Sequence, residues 1–215
     1  MSQSLSLAGV YRADNHAWLF AWKGASVFQA GPSKAMNWFG TTGAGSQTGA
    51  GTRAADADSM CGIAAMYDAV AGKILTMGGS PSYQDSDGSS NAHIITLGNP
   101  NTTPTVQKIA NAAFQRAFHN SVIMPDGKVM IIGGQVHAVP FSDDTAQYTP
   151  EMFDPVSHRM REDTMDSWLI ALSVLGNQYF HAARTNADSA YLPQHSRSPN
   201  RRYSTERWRR TLWGL

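Results

Sequence analysis

The sequence predicts an all-β fold of repeated antiparallel sheets, followed by a C-terminal stretch of different character. Three observations carry that reading. The segments AWLFAWKGASVFQAGP, MYDAVAGKILTMGGS and VIMPDGKVMIIGGQ share one plan: apolar run, glycine-containing turn, apolar run, closing glycine. Their turn lysines, Lys23, Lys73 and Lys128, lie 50 and 55 residues apart. The composition is low in charge (15%) and carries 19 glycines, which suits a turn-rich β-protein and excludes a disordered or fibrous chain.

The first hairpin turns at Lys23-Gly24, the second at Gly72-Lys73 and the third at Asp126-Gly127-Lys128. Asp-Gly between apolar runs is a strong hairpin signal. A hairpin recurring at about 50 residues, with a glycine pair closing its second strand, is the kelch-type period. Each hairpin then belongs to a four-stranded blade, and blades bury their faces only by stacking on neighbours. A closed ring takes about four to eight blades. The expectation is an incomplete kelch-type β-propeller of about three blades over residues 1–155. The polar stretches FGTTGAGSQTGAGTRAADADSM and SPSYQDSDGSSNAHIITLGNPNTTP read as loops gathered at one mouth, where a binding site would form.

The remaining sequence features narrow the choices. A chain of 215 residues can bury one sizeable core. The single cysteine, Cys61, rules out an intrachain disulfide and reads as a small buried hydrophobe. MSQSLSLAGVY has no charged start and no sustained apolar core, so no signal peptide is expected. The run from Trp168 to Leu175 is far shorter than the roughly 20 residues that span a bilayer. Asn101-Thr102-Thr103 is a glycosylation sequon. His16, His93, His119 and His137 are widely separated and lack metal-ligand spacing, and no nucleophile elbow or nucleotide-binding glycine loop is present.

Longer motifs are more specific. VYRADNHAWLFAWKGASVFQAGPSKAMNWF, MCGIAAMYDAVAGKILTMGGSPSYQDSDGSSNAHIITLG and FHNSVIMPDGKVMIIGGQ, followed by VPFSDDTAQYTPEMF, closely resemble the fungal galactose oxidase family. The resemblance runs in order from about Val10 to Pro155. It implies a secreted copper radical oxidase that converts a primary alcohol, typically the C6 hydroxyl of galactose, to an aldehyde while reducing O2 to H2O2. It also implies one copper held by two tyrosines and two histidines, one tyrosine being thioether-linked to a cysteine to form the radical cofactor.

Residue by residue, the resemblance implies a substrate wall and no metal centre. Arg12 matches the arginine that binds sugar hydroxyls, and a guanidinium fork suits paired hydroxyls. Gln84 matches a sugar-reading glutamine, with Tyr83 beside it. Phe118 and Phe141 match aromatic pocket residues, and Pro140 precedes the latter. No catalytic residue and no metal ligand is assigned. The copper ligands fall in family segments that the match does not include, and Cys61 does not match the thioether cysteine. The expectation is a fragment of an oxidase, inactive alone; the alternative is a non-catalytic carbohydrate-binding kelch module. Neither a nucleic-acid nor a membrane partner is expected, and an extracellular location follows only from the resemblance.

The tail, 156–215, departs from the family pattern. Six arginines fall in the last 25 residues, although Lys128 is the last lysine. With allowed codons, Ala190-Tyr191-Leu192-Pro193-Gln194-His195 shifted by one base can read Arg-Thr-Tyr-His-Ser, the family's copper-ligand motif. Trp208 and Trp213 shift to glycine where that pattern wants glycine. The tail therefore reads as an out-of-frame translation from a retained intron or an indel, and its arginines as a by-product of codons rather than a nucleic-acid patch.

Overall fold

Strands β1 (Trp18–Trp22) and β2 (Ser26–Gly31) form the first hairpin, turning where Gly24 and Ala25 both take positive φ. The polypeptide then runs through β3 (Ala35–Gly40) and β4 (Ser46–Thr52), and the four strands pair in chain order as one antiparallel sheet. The computed structural model describes residues 17–162. A second sheet has the order β5 (Ile63–Asp68), β6 (Lys73–Met77), β8 (Ala92–Thr96) and β9 (Thr105–Lys108). A third has β10 (Asn120–Ile123), β11 (Val129–Ile132), β13 (Glu151–Asp154) and β14 (Arg159–Glu162). These are three blades, and no described residue is helical. The first strands of successive blades approach one another, β1 with β5 and β5 with β10.

The predicted hairpins form where the sequence places them, and each turn has its own chemistry. The Asp68 carboxylate accepts the Val70 and Ala71 backbone N–H groups at 3.1 and 2.8 Å, closing the turn into β6. Asp126 does the same for Lys128 N–H at 3.1 Å, with Gly127 at φ +83°. Short side chains that bond their own backbone favour such turns.

Alternation along the strands makes blade two the centre of the core. Leu75 and Met77 of β6, with Ala92 and Ile94 of β8, pack toward Val129, Ile131 and Phe153 of blade three. Ile74 of β6 and Ile95 of β8 point the other way, onto Phe28, Met36 and Trp38 of blade one. Both faces of blade two are therefore apolar.

Two regions differ from expectation. The polar stretches read as loops contain strands: β4 is built from SQTGAGT in the first, and β8 lies within the second, whose end runs directly into β9. β4 carries no alternating pattern because it is an edge strand, mostly exposed and specified by its pairing to β3. β14 lies beyond Val156, in a stretch whose sequence shows no propeller pattern; Asp154 caps the preceding turn by accepting Val156 N–H at 2.8 Å. Cys61 is half-buried at φ +56°, rather than fully buried. Arg12, His16, the run Trp168 to Leu175 and most of the tail lie outside the described residues. Among the described residues, no helix is long and apolar enough to cross a membrane.

Candidate functional site: an aromatic cleft

The glycine pairs that end β6 and β11 send the chain into the loops that build the site. Gly79 has φ +83°, and a Cβ there would sit 2.6 Å from the Ser59 carbonyl carbon. Gly134 has φ +94°, and its Cβ would meet the Ala117 carbonyl oxygen at 2.7 Å. Only glycine allows both the backbone conformation and the close approach. Beyond Gly79 the chain carries Tyr83; beyond Gly134 it carries Gln135 and the loop to Ala146.

These loops enclose an open cleft of about 380 Å³. Tyr83, Phe118 and Phe141 line it, with Val139, Pro140 and Asp143. Tyr83 meets Phe118 edge to face, with ring centroids 5.4 Å apart at 83°. Phe118 stands at φ +58°, its N–H donating to the Cys61 carbonyl at 2.8 Å. Phe141 is fully exposed, at φ +61°. Thus three residues named from the sequence, distant in the chain, come together. Gln84 follows Tyr83 but does not line the cleft.

Phe141 sits in a tight turn. Ser142 N–H donates to the Val139 carbonyl at 3.3 Å, with Pro140 and Phe141 between them. Proline at the second position and positive φ at the third mark a type II turn, whose third position normally takes glycine. A bulky residue there costs about 1–3 kcal/mol unless its surroundings hold it.

A two-stranded ladder joins the two loop systems: β7 (Ser86–Asp87) pairs with β12 (His137–Ala138). The His137 ring bonds Asp87 through Nδ1 at 2.7 Å and Asp85 through Nε2 at 3.3 Å. These bonds, to Asp87 first and then Asp85, raise the His137 pKa above its ordinary value. Sequence reasoning passed over Gln135 and weighed His137 only as a metal ligand. Their nearest signals, a glutamine after the glycine pair and a histidine between apolar residues, name no role alone.

Among the described residues, the donor set does not fit copper. His93 is buried, with Nε2 3.3 Å from an Asp56 carboxylate oxygen; His119 is buried between the two glycine pairs; His137 is engaged by two aspartates. Among the described residues, no three His, Cys, Asp or Glu side chains form a group that could hold a metal ion.

The chain is 57% identical over 152 residues to a galactose oxidase of Gibberella zeae. The chain is a relative of galactose oxidase. The match covers 68% of this chain and 22% of that enzyme, so the chain spans about a fifth of the length of the curated relatives it matches. Among solved structures, it resembles a fungal alcohol oxidase of the AA5 family, in complex with copper, at 52% identity and TM-score 0.72. That likeness covers 75% of this chain and 33% of the other. No protein-family model matches. The similarity to galactose oxidase and to the copper alcohol oxidase supports an oxidase lineage, and the three kelch blades agree with it.

Proposed function

We propose that this galactose oxidase relative carries the alcohol-binding wall of a copper alcohol oxidase, and that the chain as it stands binds the alcohol without oxidising it. The convergence of Tyr83, Phe118 and Phe141 on one cleft carries this reading. Aromatic rings stack on the apolar face of a sugar, and a cleft with few polar groups orients a small ligand. Galactose is the first ligand to test. Arg12 and Gln84 are the hydroxyl-reading residues that the family resemblance implies; Gln84 directly follows Tyr83, and Arg12 lies outside the described residues. The lack of oxidation rests on the donor set: among the described residues, no three His, Cys, Asp or Glu side chains form a group that could hold a metal ion. The radical tyrosine, its cysteine and the copper ligands would come from the family segments that the chain does not match. The same proposal takes the region from 156 as out of frame and the family enzyme as extracellular.

The experiment is a galactose titration followed by saturation-transfer NMR, with a peroxide assay in copper and O2. Saturable binding without H2O2 is expected. Phe141→Ala should weaken binding by about 0.5–1.5 kcal/mol, roughly 2- to 12-fold. Absence of saturation would overturn the binding reading. Chelator-sensitive peroxide would overturn the inert one.

A further inference from the structure

We infer that Gln135 is the positioning residue that holds Phe141 in the cleft, a reading that rests on the alcohol-binding function proposed above. Gln135 is buried at the exit of β11, and its backbone is bonded both ways to Ala117 at 2.8 Å. That pairing fixes where its side chain can reach. Its Nε2 donates to the Val139 carbonyl at 3.0 Å and to the Ser142 carbonyl, while its Oε1 accepts the Val139 N–H at 2.9 Å. One amide group therefore bonds both ends of the turn that displays Phe141.

The turn needs such a clamp. Phe141 occupies the position that favours glycine, and its exposed ring gains no packing to offset that conformation. Only one hydrogen bond belongs to the turn itself, Ser142 N–H to Val139 at 3.3 Å. The three bonds to Gln135 outnumber it, and they are partly buried, where loss of a partner costs more than at an open surface. A primary amide is the side chain that donates twice and accepts once here; a carboxylate could keep only the Val139 N–H bond. The turn that displays the ring is thus fixed before a ligand arrives, and binding need not order the backbone that carries it.

Two variants test the inference in the full chain. Gln135→Met keeps the length and loses all three bonds; Gln135→Glu retains the acceptor. Chymotrypsin cleavage after Phe141 should quicken at least tenfold in Gln135→Met and by less in Gln135→Glu. Cleavage after Tyr67 and Phe153, in the blades, should keep its wild-type rate. Galactose binding should weaken in Gln135→Met about as much as in Phe141→Ala, with no further loss in the double variant. Unchanged cleavage at Phe141 would overturn the inference. So would equal acceleration at all three sites, which marks a merely structural residue, or additive losses in the double variant. If the wild type binds no galactose, the functional proposal fails, while cleavage at Phe141 still reports on the clamp. If Gln135→Met does not fold, Gln135→Glu alone must show the selective acceleration, and its absence overturns the inference.

Discussion

Arg116 and Glu151, both excluded from solvent, face each other with Nε and Oε2 3.0 Å apart. The pair ties the segment before β10 to the first residue of β13. Each nitrogen and oxygen of the two charged groups has a partner: Glu151 also accepts the Ala113 N–H at 2.7 Å, and Arg116 donates to the Gly133 carbonyl at 2.7 Å and to that of Thr149. Removing one partner strands a buried charge, which costs about 3–5 kcal/mol. Glu151→Ala and Arg116→Ala should each lose that much in urea unfolding, and the double variant should lose clearly less than their sum. Additive losses would show that the charges do not depend on each other.

His137 should make the β7–β12 ladder pH-dependent. Its folded pKa is raised by Asp87 and Asp85. The protonated ring therefore stabilises the ladder fully below the unfolded histidine value, about 6.5. That contribution disappears as pH rises through the raised value. Hydrogen-exchange protection factors at the amides of Asp85 and Gly88, which donate to the carbonyls of Ala138 and Val136, should fall over that window. His137→Gln should flatten the response. An unchanged exchange profile in that variant would show that the carboxylates do not act through His137.

His119 works in the opposite direction. Burial first, then the neighbouring Arg116 guanidinium, push its pKa down to about 3, with only partial opposition from the Met77 backbone. Below about pH 6.5 the unfolded chain takes up a proton that the folded chain refuses. Stability should fall by up to about 1.4 kcal/mol per pH unit from there down to pH 3. Urea unfolding at a series of pH values should show a shallower acid slope in His119→Leu than in the wild type. Identical slopes would place the acid sensitivity in the carboxylates.

Two glycines at similar φ should tolerate substitution differently. Gly134→Ala meets both the unfavourable φ and the Ala117 carbonyl, and should cost more than the 1–3 kcal/mol of backbone strain alone. Gly127, at φ +83°, has nothing within 4 Å of its virtual Cβ. Gly127→Asn should stay close to wild type in thermal unfolding, since asparagine tolerates this conformation. Equal losses at the two sites would mean that the crowding at Gly134 relaxes freely.

The hairpins were legible because Lys23-Gly24, Gly72-Lys73 and Asp126-Gly127 interrupt runs that are apolar on both sides. β4 was not, since an exposed edge strand of Ser, Gln, Thr, Gly and Ala keeps no pattern once its partner supplies the order. β14 was hidden for the same reason: Arg159–Glu162 is polar, and only its pairing to β13 makes it a strand. At the site, Tyr83, Phe118 and Phe141 were legible through resemblance to a family, while composition and period alone made them ordinary aromatics. Gln135 was not legible by either route. Its role depends on where a turn four to seven residues away folds back, and no local pattern records that.

The alternation along β6 separates Ile74 and Leu75, covalent neighbours, into two thermodynamic compartments. Ile74 belongs to the apolar cluster shared with blade one, Leu75 to the one shared with blade three. A mutational map of this strand would therefore be interleaved: odd and even positions would correlate with distant blades and not with each other. Residues as far apart as Phe28 and Ile95, in contrast, share one compartment. In this fold, proximity along the polypeptide is a poor guide to energetic kinship.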